Sequence, residues 1–476
     1  MTPNVILVVF DTARADAFEP YGAPVGSTPA IAELARRGGA ARAYANASWT
    51  VPSHASIFSG RLPRSAGFQH RGDTKAAGYV EANRRLVAGG QSLPEVMRRA
   101  GYDTFGVSGN TWISAHGGFD QGFDHFEVVT HRRMARLHKK GVRDRLAWRV
   151  DALRAKLDDG ADAVADTLEA WLAARGRHPF FLFVNLIECH SPYLPPKPFN
   201  PLGPVDRWRS AAEASRYLNV ESISRNALGN FDVPDDALAR MRALYAASAS
   251  QLDAWLARLL SALDRHGLVD ETQIVLTSDH GENLGDGQLL GHAYSLDDRL
   301  IRVPLVTAGP AALPPHDVMS LTRLPRFIAE VAGVDHHPFD DGLPDGVVVA
   351  QLDAPGDGDH ARCVSISSEW RLGPQAATRM GTSIVAATDG RWKLLRPQGT
   401  GARIAGLPAE LLVDLVADPL EVAPRTPTAT DDAALTKLRR ALDIAAESER
   451  PKTPVPTSAP AEDEALAEQL RHLGYL

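Results

Sequence analysis

The chain has 476 residues, 44% hydrophobic and 23% charged, an ordinary globular composition with apolar material for a large core. A net charge of -7 argues against a nucleic-acid partner, and the two cysteines, Cys189 and Cys363, cannot build a disulfide framework and fit a reducing compartment. No stretch reaches the roughly 18 uncharged apolar residues of a membrane span, and the opening apolar run of about six residues lacks a basic flank and reads as a strand, so a cytoplasmic location is expected.

In chain order, "NVILVVF" is continuous, apolar and β-branched, the pattern of a strand buried on both faces of a parallel sheet, and Asp11 follows its end. "STPAIAELARRGG" predicts a helix capped by Ser27 or Thr28, with Pro29 in the first turn and Gly38 past the end. "SWTVPSHASIFSG" predicts another, with Pro52 in its first turn and Gly60 as its stop. Thr50 lies just ahead of that helix, where free N–H groups and the dipole attract anions. It is either a cap residue or a nucleophile beside a docked anion. "SLPEVMRRAG" repeats the helix pattern with Ser92, Pro94 and Gly101, and "YDTFGVSGN" reads as a strand finishing near Asn110.

Residues 131–175 look helical, and "HPFFLFVNLIECH" is a buried strand ending at His190. "LYAASASQLDAWLARLLSALDRHG" is an amphipathic helix closed by Gly267, and "TQIVLTSDHGE" is a strand ending at Asp279 and His280. Strands alternating with helices imply an α/β fold with a mostly parallel sheet. Later segments, "TSIVAATDGRWKLLRP" and "AELLVDLVADPLEVAP", read as antiparallel strands of a smaller α+β subdomain. The expected organisation is a catalytic domain over 1–365, a C-terminal subdomain over 366–449, and a Pro-rich linker with a tail helix over 450–476.

Asp11, Asn110, His190 and the pair Asp279–His280 all follow apolar strands. In open α/β sheets ligands bind beyond the carboxyl ends of the strands, so these residues are expected to meet along one edge. Asp11, Asp279 and His280 are the metal candidates. Two carboxylates and an imidazole favour Mn²⁺, Zn²⁺ or Fe²⁺, with Ca²⁺ or Mg²⁺ as alternatives. Read alone, "SDHGE" could instead open a helix with Glu282 in its first turn.

Together these motifs resemble the sulfatase family of the alkaline phosphatase superfamily. "VILVVFDTARAD", "TVPSHASIFSG", "GFDQGFDHF", "ECHSPYLPP", "TSDHGENLGDG", "GHAYSLDDRLIRVPLV" and "LRHLGYL" match its landmarks in order, nearly end to end. The resemblance implies an alkaline-phosphatase-like sheet flanked by helices and a metal-dependent ester hydrolase acting on a small anionic ester. It also implies one divalent ion: two-metal relatives use an Asp and a His four residues apart, and no histidine here has that partner.

The departures from the family pattern are specific. Its signature Cys or Ser, the formylglycine precursor, is Thr50, which cannot give that aldehyde; its signature Arg is His54; two of its lysines fall at Asn110 and His292. The expectation is a phosphoester hydrolase in which Thr50 joins the metal ligands and forms a covalent phosphothreonine. His190 and His292 would protonate the leaving group, while His54 and Asn110 would hold the equatorial oxygens. Alternatives are sulfate or sulfamate ester hydrolysis without formylglycine, transfer to an alcohol, and a binding protein that has lost catalysis. A homo-oligomer stays open. His70 is a further pocket candidate, and Arg14 and Asp16 are read as structural support. The basic run from Thr130 to Lys156 is a solvated helical face or an anion-steering lid.

Overall fold

The computed structural model describes residues 2–67, 92–129, 142–156, 158–228, 232–292, 294–314, 318–354, 360–369, 372 and 375–449. His70, the basic segment through residue 141 and the tail from 450 onward lie outside them. Seven strands form the main sheet: β1 (Asn4–Phe10), β2 (Gly39–Ala40), β3 (Asp103–Ser108), β4 (His125–Val128), β5 (Phe180–Leu186), β6 (Thr272–Ser278) and β7 (Leu305–Ala308). Their order is β2-β7-β6-β1-β5-β3-β4. The run from β6 to β4 is parallel, while β7 lies antiparallel on β6 and β2 antiparallel on β7.

The two-fold periodicity of a strand explains the unbroken apolar run of β1. Ile6, Val8 and Phe10 enter the core on one face, and Val5, Leu7 and Val9 enter the core on the other. In β5, Phe180, Leu182 and Val184 split from Phe181 and Phe183 in the same way. Both faces are therefore covered, as a parallel sheet requires.

Five helices matter to the argument: α1 (Pro29–Arg37), α2 (Thr50–Ser59), α3 (Ala161–Ala174), α4 (Asp235–Arg265) and α5 (Asp432–Ser448). Thr28 precedes α1, but its hydroxyl accepts from the Glu19 amide. The free amides of Ala30 and Ile31 are satisfied instead by the Asp253 carboxylate on α4, at 3.2 and 2.8 Å. The expected helix over 131–175 is interrupted in its described part. Val142–Arg154 and α3 are separate, and the break contains Ala155 (φ 46°) and Gly160 (φ 124°). Helix α4 starts upstream of its expected first residue, Leu244. "SDHGE" opens no helix, because a short strand, Asn283–Leu284, follows it. No helix among the described residues is long and apolar enough to cross a membrane.

The C-terminal sheet has four antiparallel strands: β8 (Val348–Leu352), β9 (Ser383–Thr388), β10 (Trp392–Gln398) and β11 (Leu411–Asp414). Its first strand comes from before residue 365. One face packs under α5 through Val349, Val385, Leu394 and Leu438. The other packs on the main domain through Val348, Ala350 and Ala386 against Tyr44, Leu300 and Ile301.

Lys393, on β10, is wholly buried. Its Nζ lies 2.7 Å from Asp298 Oδ1 and 2.8 Å from Glu421 Oε2, and it donates to the Leu296 carbonyl at 3.0 Å. Burial opposes its charge, but the two carboxylates outweigh burial and hold its pKa above the ordinary value. Replacing one member of such a group strands the others in low dielectric. Lys393→Met is expected to destabilise the protein by about 3–5 kcal/mol in urea titration. A loss within 1 kcal/mol would show that solvent reaches the two acids.

Candidate active site

The register sets the geometry. Phe10 pairs with Ser278 on one side and with Leu186 on the other, so the next residues, Asp11 and Asp279, emerge at the same height from neighbouring strands. His280 follows directly. Ligand atoms of Asp11, Asp279 and His280 all lie within 4.8 Å of one another, and all three residues are fully buried.

The donors around these residues leave one atom of each facing the others. Asp11 Oδ2 accepts from Asn110 Nδ2 at 2.6 Å, while Oδ1 has no hydrogen-bond partner. Asp279 Oδ1 accepts from the amides of Thr12 (3.1 Å) and His280 (2.8 Å), while Oδ2 has none. His280 Nδ1 lies 2.9 Å from the Gly281 carbonyl and so carries the proton, which leaves the Nε2 lone pair facing the carboxylates. Burial first, then the Asp11 charge, push the Asp279 carboxyl well above its ordinary pKa. Burial and the neighbouring His292 push His280 well below its own. Two buried unpartnered oxygens and a neutral imidazole nitrogen fit a divalent cation, whose charge removes the repulsion.

Helix α2 brings up the hydroxyl. Trp49, extended at φ −154°, precedes the helix, and Gly60 ends it in the left-handed region at φ 67°. Thr50 Oγ1 stands 3.3 Å from His280 Nε2. Positions one turn apart on a helix share a face, and here Ser53 Oγ donates to the Asp279 carbonyl at 2.6 Å. His54 lies on that face too, fully buried behind the hydroxyl rather than beside it. Its Nδ1 is 3.0 Å from the Thr50 carbonyl and 3.4 Å from Asp279 Oδ2. Burial lowers its pKa to about 4, and the charge of Asp11 opposes this only in part.

His190 sits on the turn four residues beyond β5, with Nδ1 2.9 Å from the Ser191 carbonyl. The His190 and His292 rings are 5.3 Å apart, and those of His292 and His280 are 4.6 Å apart. His292 Nδ1 meets Glu282 Oε1 at 3.0 Å, and Glu282 Oε2 accepts from the Tyr193 hydroxyl at 2.7 Å. Burial disfavours the imidazolium, but Glu282 more than compensates and raises the pKa of His292. Asp11, Thr50, Asn110, His190, Asp279, His280 and His292 thus gather at one edge of the sheet, and His54 lies beneath. Asn110 donates its amide to Asp11, and its Oδ1 accepts from the Trp112 N–H at 2.9 Å. Arg14 holds Asp16 and Asp286, each at 2.6 Å, and so ties the Asp11 loop to the loop after Asp279.

Sequence reasoning missed Glu282 as the partner of His292, and missed Tyr193 and Asn185. Glu282 carried a signal: an acid two residues past a metal histidine, in a run that no helix claims. Asn185 breaks the apolar run of β5, which was also visible.

A family model described as Sulfatase matches residues 3–334. The chain therefore belongs to the sulfatase family, and it is an ester hydrolase of the alkaline phosphatase-like superfamily. It is 25% identical to choline-sulfatase of Rhizobium meliloti (strain 1021), across 92% of this chain and 85% of that one. It is 30% identical to the multifunctional alkaline phosphatase superfamily protein PehA of Trinickia caryophylli, over 29% of this chain and 30% of that one. The phosphonate monoester hydrolase of Agrobacterium radiobacter superposes with a TM-score of 0.61 at 20% identity, covering 94% of this chain and 96% of that one.

Partners that orient a metal carboxylate commonly contribute 10- to 100-fold to metal affinity. Asn110→Ala is expected to weaken divalent-cation binding by about that factor in competition against a chelating dye. An unchanged affinity would take Asn110 out of the metal centre.

Proposed function

We propose that the protein is a metal-dependent phosphoester hydrolase that works through a covalent phosphothreonine on Thr50. The observation that supports this most is the Thr50 hydroxyl 3.3 Å from His280 Nε2, at the opening turn of α2 and against the Asp11–Asp279 pair. Threonine cannot become formylglycine, so the hydrated-aldehyde chemistry of the family is closed to this residue. Direct attack by the side chain remains.

A divalent cation held by Asp11, Asp279 and His280 would lower the pKa of the hydroxyl and neutralise charge on the substrate. Thr50, its proton released to solvent water on the way to the alkoxide, then attacks in line, forming the Oγ1–P bond as the ester P–O bond breaks; the later hydrolysis returns Thr50 as the alkoxide for the next cycle. The leaving alkoxide takes its proton from His292 or His190. Glu282 keeps His292 supplied with a proton despite its burial. Water next cleaves the phosphothreonine, gives its proton to the same imidazole, and releases Thr50. Helix α2 presents its N-terminus to the substrate oxygens.

Sulfate-ester hydrolysis through the same threonine is the second reading. It is supported by similarity to choline-sulfatase over 92% of the chain. Transfer to an alcohol would use the same intermediate with an alcohol in place of water.

Thr50→Ala should lower turnover by about 10⁴-fold or more while metal content stays at the wild-type level. Wild-type enzyme quenched in denaturant during turnover of radiolabelled phosphate ester should carry label on Thr50. Label from a sulfate ester in its place would favour the second reading, and full activity in the metal-replete alanine variant would remove Thr50 from the chemistry.

A further inference from the structure

His54 lies inside the molecule with both ring nitrogens engaged. Nδ1 faces the Thr50 carbonyl at 3.0 Å and Asp279 Oδ2 at 3.4 Å, and Nε2 lies 3.4 Å from Asn185 Nδ2. The ring is held edge-on by Phe119 and Phe183. Asn185 is fully buried on β5, beside Ser108 in the parallel register. Its Oδ1 accepts from Ser108 Oγ at 3.2 Å, and its Nδ2 also lies 3.4 Å from the Val9 carbonyl.

The Val9 carbonyl fixes the orientation of this amide. Turned over, Asn185 would set its own oxygen against that carbonyl, where two acceptors repel. With Nδ2 toward the ring, Nε2 of a neutral imidazole must accept, so the proton sits on Nδ1. There it meets the Thr50 carbonyl and the unpartnered oxygen of Asp279. The opposite tautomer would place a lone pair against both.

We propose that Asn185 is a positioning residue that fixes His54 as the Nδ1–H tautomer, and that this N–H holds the first turn of α2 through the Thr50 carbonyl and turns its positive end toward Asp279 Oδ2, 3.4 Å away. A polar residue in the middle of an apolar strand thereby acts on the metal carboxylate and the Thr50 backbone through one ring. The kinetic consequence rests on the reading of Thr50 as nucleophile; the tautomer and the effect on metal binding do not.

Nitrogen NMR of protein labelled at histidine reads the tautomer without turnover, with the His54 signal identified by its loss in His54→Asn or His54→Gln. The wild type should show His54 protonated at Nδ1. Asn185→Leu should lose that fixed state and bind divalent metal about 10- to 100-fold more weakly. Asparagine can place an N–H where Nδ1 stood, whereas glutamine reaches only the Nε2 position. His54→Asn should therefore keep more metal affinity than His54→Gln. A wild-type His54 protonated at Nε2 overturns the proposal even if no Asn185 variant folds. So does an Asn185→Leu protein with unchanged tautomer and metal affinity, or equal losses in the two His54 variants. None of these outcomes bears on whether Thr50 is phosphorylated, which the quench experiment decides separately.

Discussion

Two fully buried carboxylates emerge side by side from adjacent parallel strands, and the rest of the site answers that arrangement. Asp11 and Asp279 are fully buried, and each keeps one oxygen without a hydrogen-bond partner. Left alone, the pair would hold a proton, as the raised pKa of Asp279 records. No lysine or arginine among the described residues forms an ion pair with either carboxylate. The protein supplies neutral or dipolar partners: the Asn110 amide, two backbone N–H groups and an imidazole held deprotonated at Nε2. Such a set leaves the negative charge to be met by a divalent cation, which Asp11, Asp279 and His280 would hold.

That accounting gives meaning to the departures from the family pattern. Where the resemblance predicts arginine and lysines, this chain has His54, Asn110 and His292. His54 and Asn110 face inward, His54 toward the Thr50 carbonyl and Asn110 onto the Asp11 carboxylate. His292 meets Glu282, which raises its pKa and is itself tied down by Tyr193.

Much of this was legible because it is local or register-bound. The apolar runs of β1, β5 and β6 announced doubly buried strands, and the residue following two of them entered the candidate metal site because parallel pairing sets Phe10 level with Ser278. The proline and glycine marks gave both ends of α1 and the stop of α2 at Gly60, but α2 begins at Thr50 itself, which was expected just ahead of the helix. What escaped was long-range. The first amides of helix α1 are satisfied by Asp253, more than 200 residues away, and not by Ser27 or Thr28, which the local pattern nominated. The break before α3 rests on the positive φ of Ala155 and Gly160, and only the glycine advertises that freedom. Asn185 and Tyr193 matter through partners that only the folded sheet supplies.

The C-terminal sheet also belongs to the argument about the metal, although it contributes no ligand. Gly281, next to His280, donates its N–H to the Leu300 carbonyl at 2.7 Å, and a Cβ there would stand 2.0 Å from the Arg299 carbonyl oxygen. The metal loop can therefore sit where it does only because residue 281 is glycine and the short helix Asp298–Ile301 lies directly against it. That helix is anchored in turn by Asp298, whose carboxylate meets the buried Lys393 of β10, while Glu421 bridges Lys393 to the Asp298 amide. The Gly281 carbonyl faces His280 Nδ1 and so sets which imidazole nitrogen faces the carboxylates. A continuous set of short polar contacts thus runs from the smaller sheet to the metal-facing nitrogen. The expected division at residue 365 does not separate the two sheets, because Val348–Leu352 belongs to the smaller one, and the charge group at Lys393 joins that sheet to the segment packed against Gly281.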